Sequence, residues 1–128
     1  MTIPEKLKIG GHEYKVKTGY VFRERHDLCG QHDSAQCVIR LSDRDCSGNP
    51  VAEGFEAQVF LHEILHAVNT VYNGGADTPE ATIEALSQGL FQVLRDNRLD
   101  FSDKDGTTKD SARPGARPPV FGGEVNKP

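Results

Sequence analysis

Apolar and polar residues alternate along much of the first 42 residues, the pattern of β-strands with one buried face. Residues 7–10 and 12–18 surround a pair of glycines and predict a β-hairpin. Its alternating apolar positions are Ile9, Tyr14 and Val16. Residues 20–28 fit a strand and a short helix equally well, whereas residues 36–42 alternate again and predict a further strand. We therefore expect a small, mostly antiparallel sheet.

The apolar spacing then changes to that of helices. Residues 55–72 contain no Pro or Gly and are followed by Asn73-Gly74-Gly75, a typical helix end. A second helix is predicted to begin at Thr78-Pro79-Glu80, with Thr as N-cap and Pro in the first turn, and to reach about Asn97. Its apolar stripe is Ile83, Leu86, Leu90, Val93 and Leu94. The predicted fold class is therefore α+β, with the sheet packed on a two-helix unit.

The composition changes sharply after Phe101. Residues 103–128 hold four of the seven prolines and four of the 13 glycines, with few large apolar residues. Such a segment cannot bury enough apolar surface to fold alone. We expect a folded domain over residues 1–102 and a disordered tail over residues 103–128. An alternative is that residues 118–121 dock into an active-site groove as a plug.

The charge and the hydropathy of the chain make nucleic acid and membranes unfavourable partners. The net charge of −4 does not favour bulk binding to nucleic acid. No stretch has the length of a membrane span, and residues 1–5 do not resemble a signal peptide, so we expect a cytoplasmic protein without a membrane partner. The oligomeric state is not predicted.

The three cysteines are expected to be free thiols, as is usual in a reducing compartment. They are Cys29, Cys37 and Cys46. A second zinc site could combine Cys29 and Cys37 with His26 and His32, but the spacings match no common zinc finger.

The most informative motif is His62-Glu63-Ile64-Leu65-His66, a complete H-E-x-x-H within the first predicted helix. Histidines four residues apart share one helix face, so both can reach one zinc ion. Glu63 lies off that face and can act as a general base without binding the metal. The alternative is that the three side chains only pack, but unpartnered polar groups in an apolar helix cost several kcal/mol.

A catalytic zinc ion usually has three protein ligands, and no histidine follows His66. Glu84 lies beside the apolar stripe of the second helix, where an antiparallel helix pair would bring it against the motif. We therefore predict Glu84 as the third ligand. Glu80 has a sufficient explanation in its favourable position in the first helical turn, but whether it replaces Glu84 as the ligand is left open. Asp77 is a weaker candidate that fits the preceding turn.

These residues resemble a known group. His62 to Val68, the glycine-rich turn and the segment from Glu84 to Asn97 are similar to small phage and prophage zincin-like metallopeptidases of the minimal gluzincin type. More distantly, they resemble SprT-like and ImmA-like zinc peptidases. The resemblance covers residues 5–101. It implies a glutamate ligand in an E-x-x-A pattern, which Glu84 fits with Ser87 in the small position. It also implies that the edge of strand 36–42 pairs with an extended substrate.

The sequence thus predicts a zinc peptidase acting on a peptide or protein. His62, His66 and Glu84 would hold one Zn²⁺, and Glu63 would move the proton. An oxyanion donor is left open, with the tyrosines at positions 20 and 72 as candidates. Asn69 is either a support for a histidine or a surface residue. The alternatives are a non-catalytic zinc protein that binds a host or phage partner, a SprT-like nucleic-acid-associated protease, and a hydrolase of non-peptide amides.

Overall fold

The computed structural model describes residues 2–23, 28–45 and 47–103. The chain forms four strands followed by two helices, so the α+β class is confirmed. The elements are β1 (Lys6–Ile9), β2 (His12–Lys17), β3 (Gly30–Asp33), β4 (Val38–Leu41), α1 (Glu53–Tyr72) and α2 (Glu80–Asp96). Among the described residues, no helix combines the length and the hydropathy needed to cross a bilayer.

The four strands form one mixed sheet in the order β1-β2-β4-β3. The predicted hairpin is present as the antiparallel pair β1 and β2, and Gly10 in its turn has a φ of +61°. Strand β4 pairs in parallel with β2 and antiparallel with β3. It therefore lies inside the sheet, and the expectation that residues 36–42 offer an open edge is wrong. The edge strand on this side is β3, which the sequence pattern does not predict.

The core lies between one face of the sheet and α1. Alternate residues of β2 and β4 point toward the helix, as expected for strands with a period of two. The buried cluster consists of Ile9, Tyr14, Val16, Ile39, Leu41, Phe60 and Ala67. Because Ile39, Leu41 and Ala67 are fully excluded from solvent, α1 is held tightly against the sheet.

Helix α2 packs on α1 with only part of its predicted apolar stripe. Ile83 and the small Ser87 are buried at 4% and 0% exposure. Leu86, Leu90 and Val93 remain 40–58% exposed. The first two turns of α2 lie opposite the H-E-x-x-H segment of α1, where Glu80 and Glu84 contact His62.

The chain divides into two units, Met1–Asn97 and Arg98–Pro128. Within the second unit only residues 98–103 are described; there the Asp100 carboxylate accepts hydrogen bonds from the backbone N–H and the hydroxyl of Ser102. Most of the predicted tail, including the possible plug at residues 118–121, lies outside the described residues.

Candidate metal centre

The two histidines of the motif share one face of α1, as predicted. The Nε2 atoms of His62 and His66 lie 3.2 Å apart, and the ring centroids are separated by 4.9 Å. His62 is buried, whereas His66 is half-buried. Both nitrogens could reach one ion at the usual zinc–nitrogen distance of about 2.0–2.1 Å.

Glu80, the first residue of α2, completes this group. Its Oε2 atom lies 2.6 Å from Nε2 of His62, and its Oε1 atom lies 3.1 Å from Nε2 of His66. His62, His66 and Glu80 thus offer ligand atoms within 4.8 Å of one another, a group that could hold a metal ion. The group contains two imidazole nitrogens and one carboxylate, donors that suit zinc and several other divalent ions.

The structure places Glu84, the predicted third ligand, elsewhere. Its Oε1 atom lies 2.8 Å from Nδ1 of His62, on the opposite side of the ring from Glu80. Glu80, one helical turn earlier, lies at Nε2 of His62 and Glu84 lies at Nδ1, and Glu84 as the third ligand stays a prediction. The short turn between the helices brings both glutamates, in the first two turns of α2, against His62.

The flanking of His62 by two carboxylates limits its hydrogen bonding. An ionised carboxylate only accepts hydrogen bonds, and a neutral imidazole has a single N–H. Glu80 and Glu84 contact different nitrogens of the same ring. With both carboxylates ionised, both contacts are satisfied only if the ring is an imidazolium or if a cation lies between Nε2 and Glu80. Since Nε2 of His66 faces the same point, the arrangement fits a bound metal ion.

Glu63 lies on the side of α1 that faces the sheet. It is 7% exposed, and burial raises its pKa to about 7; the charge of Glu80 adds to this shift and His62 opposes it. Glu63, His62, Glu80 and Glu84 line one cleft of about 250 Å³. Its other walls are formed by Leu28, Cys29, Gly30, Phe55, Gln58 and Val59. A group able to exchange a proton therefore shares a cleft with the candidate ligands.

Asn69 lies in the last turn of α1, and in the described structure its side chain contacts the turn between the helices and not a histidine. Its Nδ2 donates to the carbonyl of Ala76 at 2.8 Å. Its Oδ1 accepts hydrogen bonds from Asn73 and Thr78. The sequence offered this residue only as a surface residue or a ligand support. Asn69 lies one turn after His66 and shortly before the glycine-rich turn. This position is the signal in the sequence that could have indicated hydrogen bonds to the turn.

Several other candidates lie away from the cleft. Tyr20 and Tyr72 are not among its lining residues and are 38% and 70% exposed. Within the described residues, Cys37 forms no disulfide. Cys46 and His26 lie outside the described residues, so the structure does not describe the alternative second zinc site as a whole.

No protein-family model, curated protein or solved structure matches this chain.

Proposed function

We propose that this protein is a zinc-dependent peptidase. The observation that carries the proposal is the convergence of His62, His66 and Glu80 beside the buried Glu63. Three protein ligands with a carboxylate nearby form the usual plan of a catalytic zinc site, whereas structural zinc sites usually have four protein ligands. The H-E-x-x-H motif on one helix supports the same conclusion.

In this proposal His62, His66 and Glu80 hold the ion. A zinc ion supplies Lewis acidity there, which polarises a carbonyl and acidifies water. Helix α1 holds both imidazoles on one face, and α2 places the Glu80 carboxylate against them. This ligand set replaces the one expected from the sequence, in which Glu84 was the third member.

Glu63 acts as the general base. It takes the proton from the attacking water and later delivers it to the amine that leaves when the peptide bond breaks. The apolar walls of the cleft, including Phe55 and Val59, limit the water around this carboxylate. Because Glu63 lines the same cleft as the candidate ligands without being one of them, it is free to move protons.

The edge strand β3 supports a peptide substrate over a small amide. Gly30, its first residue, lines the cleft, and within the described part of the chain β3 pairs only with β4. An extended peptide can add to such an edge through main-chain hydrogen bonds, which would lay its backbone along the cleft. Strand β3 takes over the docking role that the sequence assigned to residues 36–42.

The test is cleavage of a mixed peptide library by the zinc-loaded protein, followed by mass spectrometry. Glu63→Gln should bind zinc normally and lose about 10²–10⁴-fold in rate, the usual contribution of a general base. Glu56→Gln is the matched control, because Glu56 is a half-buried glutamate of α1 that lines a different cavity. Equal rates for wild type and Glu63→Gln would contradict the proposal. Zinc binding without any cleavage would favour the non-catalytic binding protein.

A further inference from the structure

We propose that Gln88 is a positioning residue for the metal centre, acting through Glu84 on the ring of His62. This inference rests on the proposed metal site and gives Glu84 a role other than that of a ligand. It is carried by two consecutive hydrogen bonds that lead from the surface of α2 to a buried imidazole.

Both oxygens of Glu84 are occupied. Oε1 lies 2.8 Å from Nδ1 of His62, and Oε2 accepts a hydrogen bond of 2.6 Å from Nε2 of Gln88. The Glu84 side chain is 46% exposed, so packing alone does not fix its rotation. The amide of Gln88 fixes the carboxylate by holding the oxygen that faces away from His62.

This orientation decides which nitrogen of His62 carries the proton. With a metal ion between Nε2 and Glu80, Nδ1 must donate to Glu84, because an ionised carboxylate only accepts. In the neutral ring Nε2 then presents its lone pair toward His66 and Glu80, the tautomer that a metal ligand requires. Removing the partner of such an imidazole typically lowers metal affinity about 10–100-fold.

Helix α2 contains a matched control for Gln88. Gln92 also donates its amide to a carboxylate four residues away, with 3.1 Å between its Nε2 and Oδ2 of Asp96. Both glutamines are exposed and belong to the same helix. Pairs of this spacing contribute little to helix stability. Of these two pairs, only Gln88 and Glu84 are linked by a further hydrogen bond to His62. Only the loss of the Gln88 amide should therefore change metal binding.

The experiment measures zinc affinity of the full chain by competition with a chromophoric chelator. We expect Glu84→Gln to bind zinc about 10–100-fold more weakly and Gln88→Met at least about threefold more weakly, because its effect is indirect. Gln92→Met should match the wild type. The visible absorption bands of the Co²⁺-loaded protein should shift in Gln88→Met and not in Gln92→Met, a change that a purely structural role would not produce.

Identical affinities and cobalt spectra for Gln88→Met and Gln92→Met would overturn this inference and leave the proposed function intact. Complete loss of stoichiometric zinc in Glu84→Gln, with zinc retained in Glu80→Gln, would also overturn it, because Glu84 would then be a ligand. A wild type that binds neither ion would overturn this inference and the proposed function together.

Discussion

Gly30 of β3 and Glu63 of α1 approach so closely that a β-carbon on Gly30 would lie 3.0 Å from both Cγ and Oε2 of Glu63. The same β-carbon would lie 2.7 Å from Cγ1 of Val59, which is closer than real contacts allow. Only glycine therefore lets the edge strand lie against the helix at the candidate general base. This contact defines the wall of the cleft on the sheet side.

The first prediction concerns this contact. Gly30→Ala should lower the free energy of unfolding by about 1–3 kcal/mol, because overpacking forces the strand and the helix apart. Gly89→Ala should instead stabilise the protein by about 0.5–1 kcal/mol, since Gly89 lies inside α2 with open space around it. Urea denaturation of both variants measures the difference. A Gly30→Ala variant as stable as the wild type would show that the strand is not held this closely.

The second prediction concerns the turn between the helices. Asn69→Ala removes hydrogen bonds to Ala76, Asn73 and Thr78 and should cost on the order of 1 kcal/mol in stability. It should also weaken zinc binding, because the turn positions Glu80 at the beginning of α2.

Asn97→Ala serves as its control. This change removes a hydrogen bond to the carbonyl of Val93 at the far end of α2, so stability should fall while zinc affinity stays constant. Thermal unfolding and chelator competition measure the two quantities. Unchanged zinc affinity in Asn69→Ala would mean that the turn does not position Glu80.

The third prediction is a pH dependence of the metal-free protein. His32 lies 2.8 Å from the hydroxyl of the buried Tyr14, and burial lowers its pKa below 6.5, with the charge of His66 adding to the shift. As the pH falls below about 6.5, the unfolded chain therefore binds more protons at this site than the folded chain. The stability that neutral His32 contributes is present above that pH and is lost as the pH falls toward the folded pKa.

His32→Gln removes this titration. The free energies of unfolding of wild type and variant, measured by denaturation from pH 8 to pH 5, should differ by a constant amount above about pH 6.5. Below it, the wild type should lose stability relative to the variant. Parallel curves over the whole range would exclude His32 as the responsible group.

The fold was predictable where the local pattern and the tertiary structure agree. The hairpin and both helices follow from apolar periodicity, and the buried residues of β2 are those that alternate. Strand β3 was missed because residues 30–33 include none of the typical strand formers Val, Ile, Thr, Tyr, Phe and Trp. It becomes a strand through a short turn to β4, in which the Asp33 carboxylate accepts a hydrogen bond from the N–H of Gln36.

The candidate site was predictable on α1 and less so on α2. The spacing of His62 and His66 alone places them on one helix face. Periodicity also places Glu80 and Glu84 on one face, one turn apart, and so cannot distinguish them. Which glutamate meets Nε2 of His62 depends on how α2 packs against α1, which is a tertiary property.

The most direct test of the account is the zinc content of the purified chain under saturating zinc, measured by elemental analysis. We predict one zinc ion per chain for the wild type, loss of that zinc in Glu80→Ala, and retention of stoichiometric but weaker binding in Glu84→Ala. A wild type without zinc would contradict the metal centre itself. Zinc retained in Glu80→Ala and lost in Glu84→Ala would contradict the assignment of Glu80 as the third ligand.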